Sequence, residues 1–161
     1  VNKLNELGYR QYEISNFAIQ GYECIHNIGY WSHVPYIGLG VSAASMTDIN
    51  VSGQGMSCVR KKNPDSYQAY QRMIIEKQSA AETEIITPAD TRFESMMLGL
   101  RMNKGVSDEL FFHKHGLTVS ECFGDKLTKM IDEGLLLHEN GYWKMTRKGF
   151  DIQNTILVEL L

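Results

Sequence analysis

Glu13, Ser15 and Asn16 place a carboxylate, a hydroxyl and a carboxamide within four positions of one another. At the carboxyl end of a parallel strand, where open and barrel α/β sheets hold ligands, such a set could hydrogen-bond ribose hydroxyls or an amino-acid head group. His26 and His33 follow in a stretch that also holds Tyr22, Glu23, Cys24, Tyr30, Trp31 and Tyr36. An imidazole there could ligate a metal or move a proton near neutral pH. Their spacing matches no closed metal motif, and aromatic residues in a loop equally serve to cover a core. His113, His115 and His138 have weaker cases for chemistry. Gly38, Gly40, Ser42, Ala43 and Ala44 keep side-chain volume low, which admits a close backbone or a flat ligand. The run is neither a dinucleotide fingerprint nor a phosphate loop.

Those groups need elements to hold them. Leu4, Leu7 and Gly8 read as the last turn of a helix closed by glycine. Tyr12, Ile14 and Phe17 then predict a short strand and its exit over 10–17. A helix end feeding a strand is the second half of a parallel crossover unit, and this one would need earlier neighbours. The chain therefore reads as the carboxy-terminal part of a larger protein. Residues 18–30 read as an irregular loop, and 47–63, with Gly53, Gly55 and Arg60-Lys61-Lys62, as an exposed hairpin or loop.

From Asn63 the period changes. Asn63 as cap and Pro64 at the first position predict a helix with Tyr67, Tyr70, Met73 and Ile74 on one face. Residues 77–86 read as a polar connector. Thr87-Pro88-Ala89-Asp90 is a capping box for a helix burying Phe93, Met97 and Leu100. Ser107 opens a short helix through Phe111 and Phe112, ending near Gly116. Thr118 with Glu121 opens another, carrying Phe123, Leu127, Met130 and Ile131, closed by Gly134. Asn140-Gly141 between 135–139 and 142–145 is a hairpin signal, and a last helix is expected from Arg147. The order is winged-helix-like.

The fold class expected is a partial α/β region followed by a mainly helical, winged-helix-like domain with a β-hairpin. Fold outline alone does not confer nucleic-acid binding. With 16 Lys and Arg against 19 Asp and Glu, net charge -3, the chain lacks the positive surface a phosphate backbone requires. Lys126 and Lys129 are interrupted by Asp125 and followed by Asp132 and Glu133, so nucleic acid is not an expected partner. No apolar run reaches the roughly 18 residues of a transmembrane helix. Cys24, Cys58 and Cys122 are odd in number and widely spaced, which fits a reducing, cytoplasmic compartment and no metal site.

Two motifs carry more than their physics. Tyr12-Glu13-Ile14-Ser15-Asn16-Phe17-Ala18 and the His26-Asn27-x-x-Tyr30-Trp31 pattern, followed by YIGLGVSAAS at 36–45, closely resemble the radical S-adenosylmethionine family of oxygen-independent coproporphyrinogen III oxidases and heme chaperones. ESMMLGLRMNKGVS at 94–107 and GLLLHENGYWKMTRKG at 134–149 resemble that family's carboxy-terminal domain. The resemblance implies a TIM-like barrel remnant over 1–62, a linking helix and connector over 63–86, and the accessory domain over 87–161. It implies a [4Fe-4S] cluster and S-adenosylmethionine in the parent protein, used by oxidases to decarboxylate two propionates of coproporphyrinogen III to give protoporphyrinogen IX. Chaperones instead bind heme and pass it to an acceptor protein.

Carried over by position, Glu13 and Asn16 are candidates for the S-adenosylmethionine side. His26, Asn27, Tyr30 and Trp31 are candidates for a tetrapyrrole or cofactor pocket. No residue is assigned as catalytic or as a metal ligand. Ile25 stands where the family often has Arg, and Ala44 where it often has His. The family's CxxxCxxC cluster motif is not in this sequence, so the chain alone is expected to bind none of these cofactors and to be inactive as a radical enzyme. Leu98-Gly99-Leu100-Arg101 with Gly105-Val106-Ser107 favours the chaperone branch. A true oxidase and a non-enzymatic partner-binding module are the alternatives.

Overall fold

Local signals set most of the element boundaries. The computed structural model describes residues 1–51, 55–78 and 82–161, so Gly53 at the expected hairpin tip lies outside the described residues. Helix α1, Asn2–Glu6, ends as expected ahead of Gly8, whose φ of 84° turns the chain out of the helix. Strands β1, Arg10–Gln11, and β2, Phe17–Ala18, pair antiparallel with Arg10 opposite Ala18. The expected strand over 10–17 is thus a hairpin: Tyr12 N–H donates to the Asn16 carbonyl at 3.2 Å and folds the chain back.

Residues 19–24 are irregular as expected, but helix α2, Ile25–Trp31, takes up the rest of the loop expected over 18–30. Its cap, Cys24, makes no side-chain bond, so sequence offered no start signal. Strands β3, Ala44–Val51, and β4, Gly55–Lys62, form the expected hairpin. Helix α3, Tyr67–Ile75, starts later than expected, with Ser66 as cap accepting from Ala69 N–H at 3.3 Å. Asn63 is diverted from capping: its amide donates to the Gly38 and Gly40 carbonyls at 3.3 and 2.9 Å. Strand β5, Glu82–Ile86, occupies the second half of the expected connector and pairs with β4, completing a sheet of order β3-β4-β5. Register sets Arg60 opposite Glu84 and Lys62 opposite Glu82, so the basic run lies on a strand beside carboxylates.

Helix α4, Pro88–Gly99, opens with Thr87 Oγ1 accepting from Asp90 N–H at 3.2 Å. Strand β6, Val106–Ser107, leads to helix α5, Asp108–His115, capped by Ser107 and closed by left-handed Gly116. Helix α6, Val119–Asp132, has the reciprocal Thr118–Glu121 capping box. Strands β7, Leu136–Glu139, and β8, Tyr142–Met145, turn at Asn140 and Gly141, whose φ values of 51° and 74° are those of a type I′ hairpin. Strand β6 adds to β8, giving the order β6-β8-β7. The expected last helix breaks at Ile152 into α7, Arg147–Asp151, and α8, Gln153–Leu160.

The chain divides into two compact units, residues 1–34 with 92–161, and residues 35–91. The first has the larger core, with Met96, Leu100, Leu127, Met130, Ile156 and Leu160 fully buried and Trp143 beside them. Removing such side chains from water is the main stabilising term of the unit. The second packs Met46, Cys58 and Ile86, with Tyr36 against them, on its sheet. No helix among the described residues is long and apolar enough to cross a membrane.

Candidate functional site

The candidate residues within the first unit fall into three settings. Glu13 is fully buried between β1 and β2 and bridges Met102. Its Oε1 accepts from both Ser15 N–H and Ser15 Oγ–H at 3.1 Å, whereas Oε2 is buried without a hydrogen-bond partner. Asn103 fixes this hairpin by donating its side-chain amide to the Gln11 carbonyl at 2.5 Å and its N–H to the Tyr12 carbonyl at 3.1 Å. Asn16, by contrast, is exposed. The short connection that folds β2 back therefore separates Glu13 and Asn16 by environment.

Helix α2 sorts its four candidates by the helical four-residue repeat. His26 and Tyr30 share the exposed face, their rings edge to face with centroids 4.8 Å apart. Asn27 and Trp31 share the half-buried face. The Arg101 guanidinium lies 5.5 Å from the Trp31 ring centre, a cation–π contact that anchors the helix. Beside His26, Tyr22 and Ile25 are more than four-fifths exposed, at 82% and 84%. An imidazole among exposed apolar groups can meet a flat, hydrophobic, metal-bearing ligand.

His33 is spent differently: it is buried and held in the left-handed region at φ 55°. Such a conformation is costly for a residue with a Cβ and persists only where surroundings fix it. Here they do. Lys114 Nζ donates to His33 Nδ1 at 2.7 Å and to its carbonyl at 3.1 Å, while Nε2 lies 3.3 Å from Glu94 Oε2. Because an ammonium only donates and a carboxylate only accepts, these partners assign the proton to Nε2. His33 is a structural tie, not a free ligand.

His115, whose case for chemistry was weak in the sequence, has neighbours that sequence reasoning missed. This histidine is 4% exposed at the end of α5, its ring 4.5 Å from that of Phe111. Nε2 is 3.0 Å from Ser95 Oγ, and Nδ1 has no partner. Burial first, then the charges of Lys114 and Arg92 and that of His33 when protonated, lowers its pKa from 6.5 to about 4. The four-residue spacing from Phe111 was the available signal for burial. Ser95 and Lys114 had none, since only the fold brings them to His115 and His33.

In the second unit, the glycine-rich run is closed on itself. A Cβ on Gly38 would overlap the Ala44 carbonyl, and Gly40 N–H donates to the Tyr70 hydroxyl at 3.1 Å. Ser42, at φ 59°, donates Oγ–H to Asp65 at 2.8 Å. Asp65 is held below the usual carboxylate range by hydrogen bonds from Lys62 and Ser42.

The first unit is thus a helical core carrying a three-stranded antiparallel sheet, preceded by an aromatic helix with an exposed histidine. Residues 86–152 match the HemN C-terminal domain. The chain is 30% identical over 154 residues to the heme chaperone HemW of Lactococcus lactis, covering 96% of this chain and 38% of that protein. It is 31% identical to the heme chaperone HemW of Bacillus subtilis, covering 97% of this chain and 39% of the relative. In fold it resembles the coproporphyrinogen III oxidase HemN of Escherichia coli, a radical SAM enzyme, with a TM-score of 0.64 at 16% identity over 99% of this chain and 38% of that one. The chain belongs to the family of oxygen-independent coproporphyrinogen III oxidases and heme chaperones. It spans less than two-fifths of the length of these relatives.

Proposed function

We propose that this chain supplies the carboxy-terminal portion of a radical S-adenosylmethionine protein of the heme-chaperone branch, and that α2 is its tetrapyrrole-facing element. The exposed His26 and Tyr30 pair carries the reading, because it sets an imidazole at the surface beside the apolar Tyr22 and Ile25. Heme binding would use the His26 imidazole as an iron ligand, with the neighbouring rings covering a porphyrin face. Asn27 and Trp31, on the other face of α2, would hold the helix in position. The heme iron itself supplies the ligand-accepting centre.

The finer architecture follows the same reading: a barrel remnant over 1–62, a linking segment over 63–86 and a winged-helix-like domain over 87–161. Support for the last comes from α4, α5 and α6 preceding the β7–β8 hairpin. Glu13 is read as facing the S-adenosylmethionine side, supported by its buried, unpartnered Oε2, with Asn16 at the rim. The thiols here do not fit a [4Fe-4S] cluster: Cys24 is exposed, Cys58 buried and Cys122 half-buried, without the CxxxCxxC spacing. No radical step is routed through this chain, which is read as inactive by itself. In the parent, heme would pass to an acceptor protein, in the cytoplasm.

Heme titration of the chain tests this reading. The expected result is a Soret band that shifts on binding and is lost in His26→Ala, with Tyr30→Ala weakening it. An unchanged spectrum in His26→Ala overturns the assignment of α2. In the parent protein, tight heme binding without decarboxylation of coproporphyrinogen III supports the chaperone branch; product formation refutes it.

A further inference from the structure

Arg101 is a cation without an answering group. Its chain neighbours Leu100 and Met102 are both buried, and Met102 bridges Glu13, so the backbone here is fixed. The residue is half-buried, with its guanidinium over the Trp31 ring. Among the described residues its side chain makes no hydrogen bond and no ion pair. Arg147, by contrast, pairs with Asp151 at 3.1 Å, and Arg10 donates to the Asn5 carbonyl at 3.2 Å. Of the three Arg101 guanidinium nitrogens only Nε is sealed from solvent, so Nη1 and Nη2 stay open to a ligand.

A guanidinium keeps its charge at any ordinary pH and carries donors only. Half-buried and unpaired, it favours an anion, and its planar fork matches a carboxylate with two parallel bonds. The contact with Trp31 positions that fork before any ligand arrives. The surroundings add to the positive field. Trp31 lines a cavity of about 140 Å³ with Phe111, Lys104, Lys114 and His115, and no Asp or Glu lines it.

Trp31 also ties this cation to α2. It follows Tyr30 directly at the carboxyl end of the helix, and a rise of about 8 Å along the axis separates it from His26. Tetrapyrroles carry propionates on short flexible arms. A macrocycle resting against His26 and Tyr30 can therefore send one arm over the end of α2 to the fork. We propose that Arg101 binds a propionate carboxylate of the tetrapyrrole held on α2, through Nη1 and Nη2. This rests on the tetrapyrrole reading of α2 and adds to it the group that recognises the acid arms.

The test titrates the full chain with mesoporphyrin IX, a metal-free diacid, and with its dimethyl ester. Expected on the unmodified chain is diacid binding roughly tenfold tighter than that of the ester. Arg101→Gln should bring the diacid down to the level of the ester and leave the ester unchanged. Arg101→Lys, which keeps the charge but not the fork, should restore part of the preference. Equal binding of diacid and ester by the unmodified chain, an equal fall for both in Arg101→Gln, or no binding of either overturns the proposal. Because the probe holds no iron, the preference is independent of ligation by His26. A diacid preference beside an unchanged heme spectrum in His26→Ala upholds Arg101 and overturns the iron-ligand reading alone.

Discussion

The buried His115 makes the stability of the first unit depend on pH in a calculable way. Its pKa lies at about 4 in the folded chain against 6.5 ordinarily. On acidification the unfolded chain takes up this proton first. The contribution is therefore complete above 6.5 and is lost as pH falls through 6.5 toward about 4. At ~1.4 kcal/mol per pH unit, the loss is about 3 kcal/mol. His115→Phe removes the group while keeping an aromatic ring against Phe111. Urea denaturation of both chains at about pH 7 and about pH 4.5 isolates it, because every other titrating group is common to the two. The gap between the chains should move by roughly 2–3 kcal/mol in favour of the variant at the lower pH. Parallel stability curves, or a native His115 titrating near its ordinary value by NMR, would refute the reasoning. The charges facing the ring are those of Lys114 and Arg92, joined by His33 when it is protonated, so removing Lys114 should raise the His115 pKa.

Three further outcomes follow from single contacts. Glu13→Gln retains an acceptor for both Ser15 bonds and should change stability by less than about 1 kcal/mol, whereas Glu13→Ala should cost about 1–3 kcal/mol in denaturant titration. Gly105→Ala should destabilise by about 2–4 kcal/mol by thermal melt, because φ is 76° and the new Cβ would overlap the Trp143 carbonyl. Asp108 accepts from Trp143 Nε1 at 2.7 Å and pairs with His138 Nε2 at 2.6 Å. Asp108→Ala should cost about 1.5–3 kcal/mol and increase hydrogen exchange in β8, an effect absent if the hairpin is fixed by its turn alone.

Elements with local instructions were legible. The bounds of α5 and α6 follow from Ser107, Gly116 and the Thr118–Glu121 box, and the β7–β8 turn from Asn140-Gly141, since each signal acts within four residues. Where the decisive contact is distant, sequence could not supply it. Asn63 has a cap's chemistry but binds carbonyls 23 and 25 residues upstream. Strand β5 buries only Ile86, so Glu82-Thr83-Glu84 shows no apolar alternation and read as connector. Helix α2 was hidden by Gly29 and a cap without a side-chain bond. The same limit applies to chemistry: motif residues of α2 were named, but their division between two faces depends on the helix. The His115 pocket, assembled from α4, α5 and the stretch around Trp31, left only the Phe111 spacing as a trace.

The bond from Asn103 to the Gln11 carbonyl joins residues 92 positions apart within one unit. At about 5–20 residues per second of synthesis, Gln11 precedes its partner by roughly 5–18 seconds. During that interval the β1–β2 hairpin lacks its Asn103 contacts, and a ribbon of two-residue strands is marginal by itself in water. Residues 92–161, whose core needs only its own side chains, can then collapse as soon as they emerge and capture the waiting segment. Within this unit, residues 1–34 are made before the core and would settle after it, and a protease or chaperone would meet them in that window.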